Sequence, residues 1–139
     1  LSAKQIKQLP AAIRGLERTE SLEELAALYA HASVYCNPTF QDNFPNTNIE
    51  ALSCGTPVVA YQTGGCPEAV DENTGKIVPV GDVSALWRAI QEVAEGDREQ
   101  WRQACRDRAL RLFDKKDRYQ DYLSLYQRLL STQSTAQNT

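Results

Sequence analysis

The sequence predicts an α/β fold built on a parallel sheet, with a ligand site at one edge of that sheet. Short apolar segments alternate with segments of helical periodicity, which is typical of βαβ units. Glycine and proline stand where these segments end. Two carboxylates, Asp42 and Glu50, flank an Asn/Pro-rich turn that leads into a helix, a glycine and a β-branched segment. Loops of this kind carry ligands at the carboxyl edge of parallel sheets.

We expect about four strands, joined by right-handed crossovers. In chain order they are residues 12–16, 33–36, 57–61 and 76–80. Four strands are few for a sheet covered on both faces, and the three helices after the last strand have no strand of their own. We therefore expect the second half of a Rossmann-like domain that lacks its opening strands.

The helices are predicted from caps and apolar spacing. Ser21 begins a helix through a capping box, because Glu24 follows three residues later. Gly55 ends a helix over 47–54, and Pro67 suits the first position of a short helix. The expected N-caps of the three C-terminal helices are Asp82, Asp97 and Asp117. The apolar residues expected on the buried face of the last helix are Leu123, Tyr126, Leu129 and Leu130.

Composition bounds the organisation of the chain. The 139 residues suffice for one domain, which we place at 1–131, followed by a polar flexible tail at 132–139. The chain starts at Leu1 and contains no Met, so we expect a piece of a longer protein. Its removal from that protein should leave an apolar sheet edge or face exposed.

Charge and cysteine content exclude several classes. A net charge of −3 gives no basis for binding nucleic acid. No apolar run reaches the length of a membrane span, and no signal peptide is evident. The four cysteines lack metal-ligand spacing, which favours a reducing, cytoplasmic setting.

The turn between the two carboxylates is suited to an anion. A helix that begins near Thr47 directs free N–H groups and the positive end of its dipole toward the sheet edge. Gly64 and Gly65 allow a close backbone approach and form a second candidate anion site. Both Glu50 and Asp42 have alternative interpretations. Glu50 either completes a capping box with Thr47 or accepts a pair of sugar hydroxyls, and Asp42 is either a ligand contact or a solvated loop acid.

The charge of this region argues against a complete diphosphate site. Residues 32–75 contain no Lys, Arg or His and five carboxylates, for a formal charge of −5. A helix dipole of about half a charge cannot offset a diphosphate there. The cations must come from elsewhere, and Arg14 and Arg18 are the nearest candidates in the chain.

Other candidates favour structural roles. Cys66 stands at a helix N-terminus, which lowers a thiol pKa, but no His partner accompanies it, so an inert Cys is favoured. His31 suits a helix C-terminus. The basic and aromatic segment 115–126 suits a packing helix. No G-x-G-x-x-G follows a strand, which disfavours a dinucleotide cofactor.

Taken together, five segments resemble the C-terminal domain of a GT-B glycosyltransferase of the retaining family known as glycosyl transferases group 1. They are ELAALYAHASVYCNPT, DNFPNTNIEALSCGTPVVAY, TGGCPEAV, TGKIVPVGD and DRYQDYLSLYQRLL. The resemblance extends to Leu130 and is specific as a set. It implies transfer of a sugar from a nucleotide-diphosphate sugar to an acceptor hydroxyl without a metal, in capsule or cell-wall polysaccharide biosynthesis or in the making of a small glycoside.

The resemblance also implies roles for residues. Glu50 would hold the ribose hydroxyls, and Asp42 would lie near the donor sugar and the leaving diphosphate. Backbone N–H groups around Asn46, Thr47 and Asn48 would meet the phosphates. The remaining residues expected to line the pocket are Asn43, Phe44, Pro45, Ile49, Gly64, Gly65 and Glu68.

Two departures from the family pattern bear on these roles. Asp42 is one methylene shorter than the family's Glu, and Ser33 stands where Asp is common. The resemblance places the phosphate-binding cations and the acceptor domain upstream of this chain. We therefore expect the chain alone to be inactive, and peripheral membrane contact through the absent part stays open. The alternative is a non-catalytic nucleotide-binding or interaction module of the same fold.

Overall fold

A computed structural model describes residues 2–136 and shows a parallel sheet between two layers of helices. Three strands lie in the order β1-β2-β3: Tyr35–Asn37, Val58–Tyr61 and Gly75–Val78. Both strand pairs are parallel, with Tyr35 opposite Val58 and Val58 opposite Gly75. The predicted α/β class with a parallel sheet and a helical C-terminal part is confirmed.

Seven helices accompany the strands in the described residues. They are α1 Ala3–Ile6, α2 Leu22–His31, α3 Asn46–Ser53, α4 Cys66–Ala69, α5 Val83–Glu95, α6 Arg98–Phe113 and α7 Lys115–Ala136. Helix α3 connects β1 to β2, and α4 connects β2 to β3. None of the helices within residues 2–136 has both the length and the hydropathy of a membrane span.

Strand β2 separates two apolar clusters because alternate residues of a strand face opposite sides of the sheet. Val58 and Ala60 pack with residues of α3, α4 and α6 on one face. Val59 and Tyr61 pack with residues of α5 on the other. All four residues are at most 2% exposed, so β2 is the centre of the core.

Several predicted boundaries are confirmed by their caps. The Ser21 hydroxyl accepts from the Glu24 N–H at 3.1 Å, while the Glu24 carboxylate accepts from the Glu20 N–H, one residue before the predicted partner. Asp82 and Asp97 cap α5 and α6 as predicted. Gly55, with φ of 80°, follows α3.

Two predicted elements differ in the N- and C-terminal parts. Residues 12–16 form no strand, because the Ile13 N–H donates to the Pro10 carbonyl at 2.8 Å and closes a turn. Three strands are therefore found in the described residues, against the four expected. The last helix begins after Asp114, whose carboxylate accepts from the Lys116 N–H at 2.8 Å, and Asp117 lies within its first turn.

The apolar face of α7 is exposed, which contradicts the predicted burial. Leu123, Tyr126, Leu129 and Leu130 are 52–66% exposed. The helix continues to Ala136, beyond the predicted tail boundary at residue 131. Residues 137–139 of the predicted tail lie outside the described residues.

Candidate functional site

The loop after β1 carries the first carboxylate of the candidate site. The Asp42 Oδ1 accepts a hydrogen bond from the Phe44 N–H at 3.1 Å. A side chain that bonds the backbone two residues on forms an Asx turn, which shapes the loop locally. The Asp42 carboxylate therefore has a partner that its sequence context did not reveal, and the residue itself is exposed.

The Gly64–Gly65 turn lies directly against this acid loop, which we define as residues 38–45. The Gly65 N–H donates to the Asn43 carbonyl at 2.7 Å, and the Thr63 hydroxyl donates to the Phe40 carbonyl at 3.2 Å. A Cβ on Gly64 would stand 1.7 Å from the Asp42 carbonyl oxygen. The two predicted ligand loops thus form one edge, and the Gly65 N–H is already engaged within it.

Helix α3 begins at Asn46, immediately after the acid loop. Its N-cap is Pro45, which offers no side-chain hydrogen bond. N–H groups in the first turn of a helix lack intrahelical carbonyl partners, so Asn46 and Thr47 direct donors toward this edge. The Asn48 N–H donates to the Pro45 carbonyl at 3.1 Å and closes the turn.

The capping-box interpretation of Glu50 is wrong. Thr47 lies inside the helix, so it cannot be the cap that Glu50 would complete. Instead, the Glu50 Oε2 accepts a hydrogen bond from the Tyr29 hydroxyl of α2 at 3.2 Å. The Tyr29 pKa is raised, first by burial and then by the nearby Tyr35 and Glu50, so this hydroxyl stays a donor at neutral pH.

A groove of about 480 Å³ runs between α2 and α3, and Glu50 lies in its wall. Its lining is mostly apolar and comprises Leu22, Leu25, Ala26, Tyr29, Asn46, Ile49, Glu50, Ser53 and Cys54. Apolar pockets with a few placed polar groups are the usual form of small-molecule sites. The groove thus joins the second carboxylate to the start of α3, where the first-turn donors are.

The remaining predicted site residues take different positions. Asn48 is fully buried, and its carboxamide bonds Asn37 and Cys66 within the fold. Pro45 is buried, Ile49 and Phe44 are half-buried, and Asn43, Asn46 and Thr47 are exposed. Glu68 lies on α4, exposed, and its backbone carbonyl accepts from Arg108 at 2.8 Å.

The Cys66 thiol is buried, and its surroundings favour the structural role that its sequence context indicated. Burial raises the Cys66 pKa, although the hydrogen bond from Asn48 acts in the opposite direction. The neighbouring Asp42 charge raises it further. The helix that begins at Cys66 spans only Cys66–Ala69, so the dipole it contributes is small.

The negative charge of residues 32–75 is offset at one position. Arg108 of α6 pairs with Asp71, and its guanidinium also donates to the Ala69 carbonyl at 2.7 Å. No local pattern in the sequence relates Arg108 to Asp71, because 37 positions separate them. Arg18, a predicted cation source, pairs with Glu20 at 3.6 Å on the surface, where both side chains are exposed.

Comparisons with known proteins agree on one family. The family model described as glycosyl transferases group 1 matches residues 2–96. The MMP α-(1→4)-mannosyltransferase of Mycolicibacterium hassiacum is 38% identical over 79 residues, which is 55% of this chain and 19% of that protein. The D-inositol 3-phosphate glycosyltransferase of Mycobacteroides abscessus is 44% identical over 75 residues, 53% of this chain and 17% of that protein.

Two solved structures share the fold of this chain. The sucrose-phosphate synthase of Thermosynechococcus elongatus superposes with a TM-score of 0.71 at 34% identity, covering 79% of this chain and 28% of that one. The starch synthase IV catalytic domain of Arabidopsis thaliana, bound to ADP and acarbose, shares the fold with a TM-score of 0.64 at 21% identity, covering 84% of this chain and 26% of that one.

These matches account for the parallel sheet and the helices around it. The chain spans less than a fifth of the length of the curated relatives it matches. The family model, by contrast, covers well over half of this chain. The chain therefore belongs to the glycosyl transferases group 1 family.

Proposed function

We propose that this chain is the donor-binding part of a retaining glycosyltransferase that uses a nucleotide-diphosphate sugar. The observation that carries the proposal is the place of Glu50, between the apolar groove and the start of α3. The groove, Glu50 and the start of α3 lie in the order that a nucleoside diphosphate requires. It needs an apolar wall for the base, an acceptor for the ribose hydroxyls and N–H donors for the phosphates.

The proposed roles follow from that order. Leu22, Leu25 and Ile49 provide apolar contact for the base. Glu50 accepts the ribose hydroxyls, and the Tyr29 hydroxyl holds its carboxylate in place. The N–H groups of Asn46 and Thr47 meet the phosphates without a metal, and Asp42 lies near the transferred sugar.

The charge of the site supports the proposal that the chain alone does not turn over. Arg108 pairs with Asp71. The other four carboxylates of residues 32–75 form no ion pair within the described part of the chain. A leaving diphosphate requires electrostatic stabilisation, which is usually the largest catalytic contribution. We propose that these cations, and the acceptor site, belong to a further part of the protein.

The four free cysteines support a cytoplasmic location.

Calorimetry tests the binding role directly. The chain is titrated with UDP, GDP and ADP, and the tightest of the three is used to compare variants. We expect Glu50→Gln to weaken binding by about tenfold, because a carboxylate that accepts hydroxyl hydrogen bonds is worth more than an amide. Glu72→Gln removes an exposed carboxylate outside the groove and is the matched control.

Two outcomes decide between the proposals. Failure of all three nucleotides to bind, together with failure of uridine, guanosine and adenosine, which need no phosphate-binding cations, contradicts a donor site within this chain and favours an interaction module. Hydrolysis of a nucleotide sugar by the chain, lost in Glu50→Ala, would contradict its proposed inactivity.

A further inference from the structure

The side chain of Asn48 is a buried polar group that the proposed binding roles do not use. It is 0% exposed, at the third position of α3. Its buried neighbours on the same helix, Ala51 and Leu52, are apolar. A carboxamide at such a position is costly unless its hydrogen bonds are made, so packing alone would favour an apolar side chain here.

Both ends of the Asn48 carboxamide have partners from other elements. Its Oδ1 accepts from the Asn37 Nδ2 at 2.9 Å. Its Nδ2 donates to the Cys66 Sγ at 3.5 Å. Asn37 is the last residue of β1, and Cys66 is the first residue of α4. One side chain thus connects a strand and two helices.

The three elements that Asn48 connects also carry the parts of the candidate site. Asn37 directly precedes the acid loop, and Cys66 directly follows the Gly64–Gly65 turn. Glu50 lies on the same helix as Asn48, two residues further on. A shift of α3 along the sheet would therefore change the spacing between the acid loop, the glycine turn and Glu50 together.

We propose that Asn48 is a positioning residue, whose buried carboxamide fixes α3 relative to the acid loop and the Gly64–Gly65 turn. Its effect on a nucleotide rests on the proposed function, whereas its effect on the loops does not. The two are therefore measured separately.

Amide hydrogen exchange of Gly65 reports the loop contact, because this N–H bonds the Asn43 carbonyl. We expect Asn48→Leu to speed Gly65 exchange by about tenfold or more through local opening. Asn37→Leu removes the same bond from a half-buried position and should do likewise, which keeps the test usable if Asn48→Leu fails to fold.

Thr74→Val is the matched control. Thr74 is 1% exposed and donates to the Asp71 carboxylate at 2.8 Å, directly before β3 and away from the acid loop. It should lower global stability while leaving Gly65 exchange unchanged under native conditions. Unchanged Gly65 exchange in both Asn variants, or an equal increase in Thr74→Val, would overturn the proposal.

Binding of UDP, GDP and ADP provides the second measurement. If the wild-type chain binds one of them, Asn48→Leu should weaken it by about fivefold or more at a temperature where the variant is fully folded, and Thr74→Val should not. An unchanged affinity in Asn48→Leu would overturn the positioning role. If the wild-type chain binds none of these nucleotides or their nucleosides, the proposed function fails, and Gly65 exchange alone decides on Asn48.

Discussion

At the scale of single residues, the glycines of the site show how backbone geometry limits its sequence. Gly64 has φ of 46°, and any Cβ there meets a backbone carbonyl of the acid loop. Gly81 has φ of 80° but open space around it, since a Cβ added there would come no closer than 3.6 Å to the Phe40 ring. A side chain at either position would be strained by the positive φ, but only at Gly64 would it also clash with a neighbouring backbone atom.

Comparing alanine at these two positions separates strain from clash. We expect Gly81→Ala to lower the free energy of unfolding by about 1 kcal/mol, the cost of a left-handed alanine. Gly64→Ala should cost about 3 kcal/mol or more, because the Asp42 carbonyl must also move. Chemical denaturation measures both, and equal losses would contradict the loop contact.

Buried thiols give a pH dependence at the same scale. Burial raises the Cys105 pKa to about 12, and the nearby Asp71 charge adds to this. The unfolded chain therefore loses its thiol proton at lower pH than the folded chain, so the stability contributed by Cys105 is complete below the unfolded pKa and falls as pH rises above it. The decline extends to the folded pKa of about 12.

Denaturation curves at alkaline pH test this effect. We expect the stability of the wild-type chain to fall more steeply than that of Cys105→Ala, by up to about 1.4 kcal/mol per pH unit above the unfolded thiol pKa. Below that pKa the two slopes should agree. Equal slopes throughout would show that Cys105 ionises as readily in the folded chain.

At the scale of elements, sequence patterns predicted the helices near the site better than the contacts between them. The acid loop, α3 and Gly55 follow from local signals, since caps and turn residues act over a few positions. The role of Glu50 does not, because its partner Tyr29 lies on another helix, 21 positions away. The same holds for Arg108, whose three partners belong to α4 and the turn after it.

Arg108 connects α6 to the end of α4, and its removal should loosen that connection. We expect Arg108→Ala to cost about 2–3 kcal/mol, since two backbone carbonyls and Asp71 lose a largely buried charged partner. Arg118→Ala is the control, because its pair with Asp121 is exposed and should contribute less than about 0.5 kcal/mol. Similar decreases in the free energy of unfolding for the two variants would contradict the proposed contribution of the Arg108 contacts.

At the scale of the whole molecule, the edges of the sheet and α7 are among the parts with uncovered surface. Strands β1 and β3 each pair with β2 and with no other strand within the described residues. Tyr119, Tyr122 and Tyr126 of α7 are each 59% exposed. The sequence pattern indicated an apolar face on this helix correctly, but periodicity cannot tell whether the fold supplies a surface to cover it.

We expect the isolated chain to self-associate because of this uncovered surface. Sedimentation velocity should show a mass that rises with concentration. Tyr122→Lys combined with Tyr126→Lys should reduce the association, while Lys115→Gln combined with Lys116→Gln, at the start of the same helix, should not. A monomer of constant mass up to high concentration would contradict the expectation.

The hydrogen bond between the Gly65 N–H and the Asn43 carbonyl also limits how this domain can diversify. The acid loop and the glycine turn are joined at fixed positions, and each is anchored to its own strand. An insertion in one loop would displace its half of the contact unless the other changed as well. Length changes in these two loops should therefore arise in pairs among related proteins.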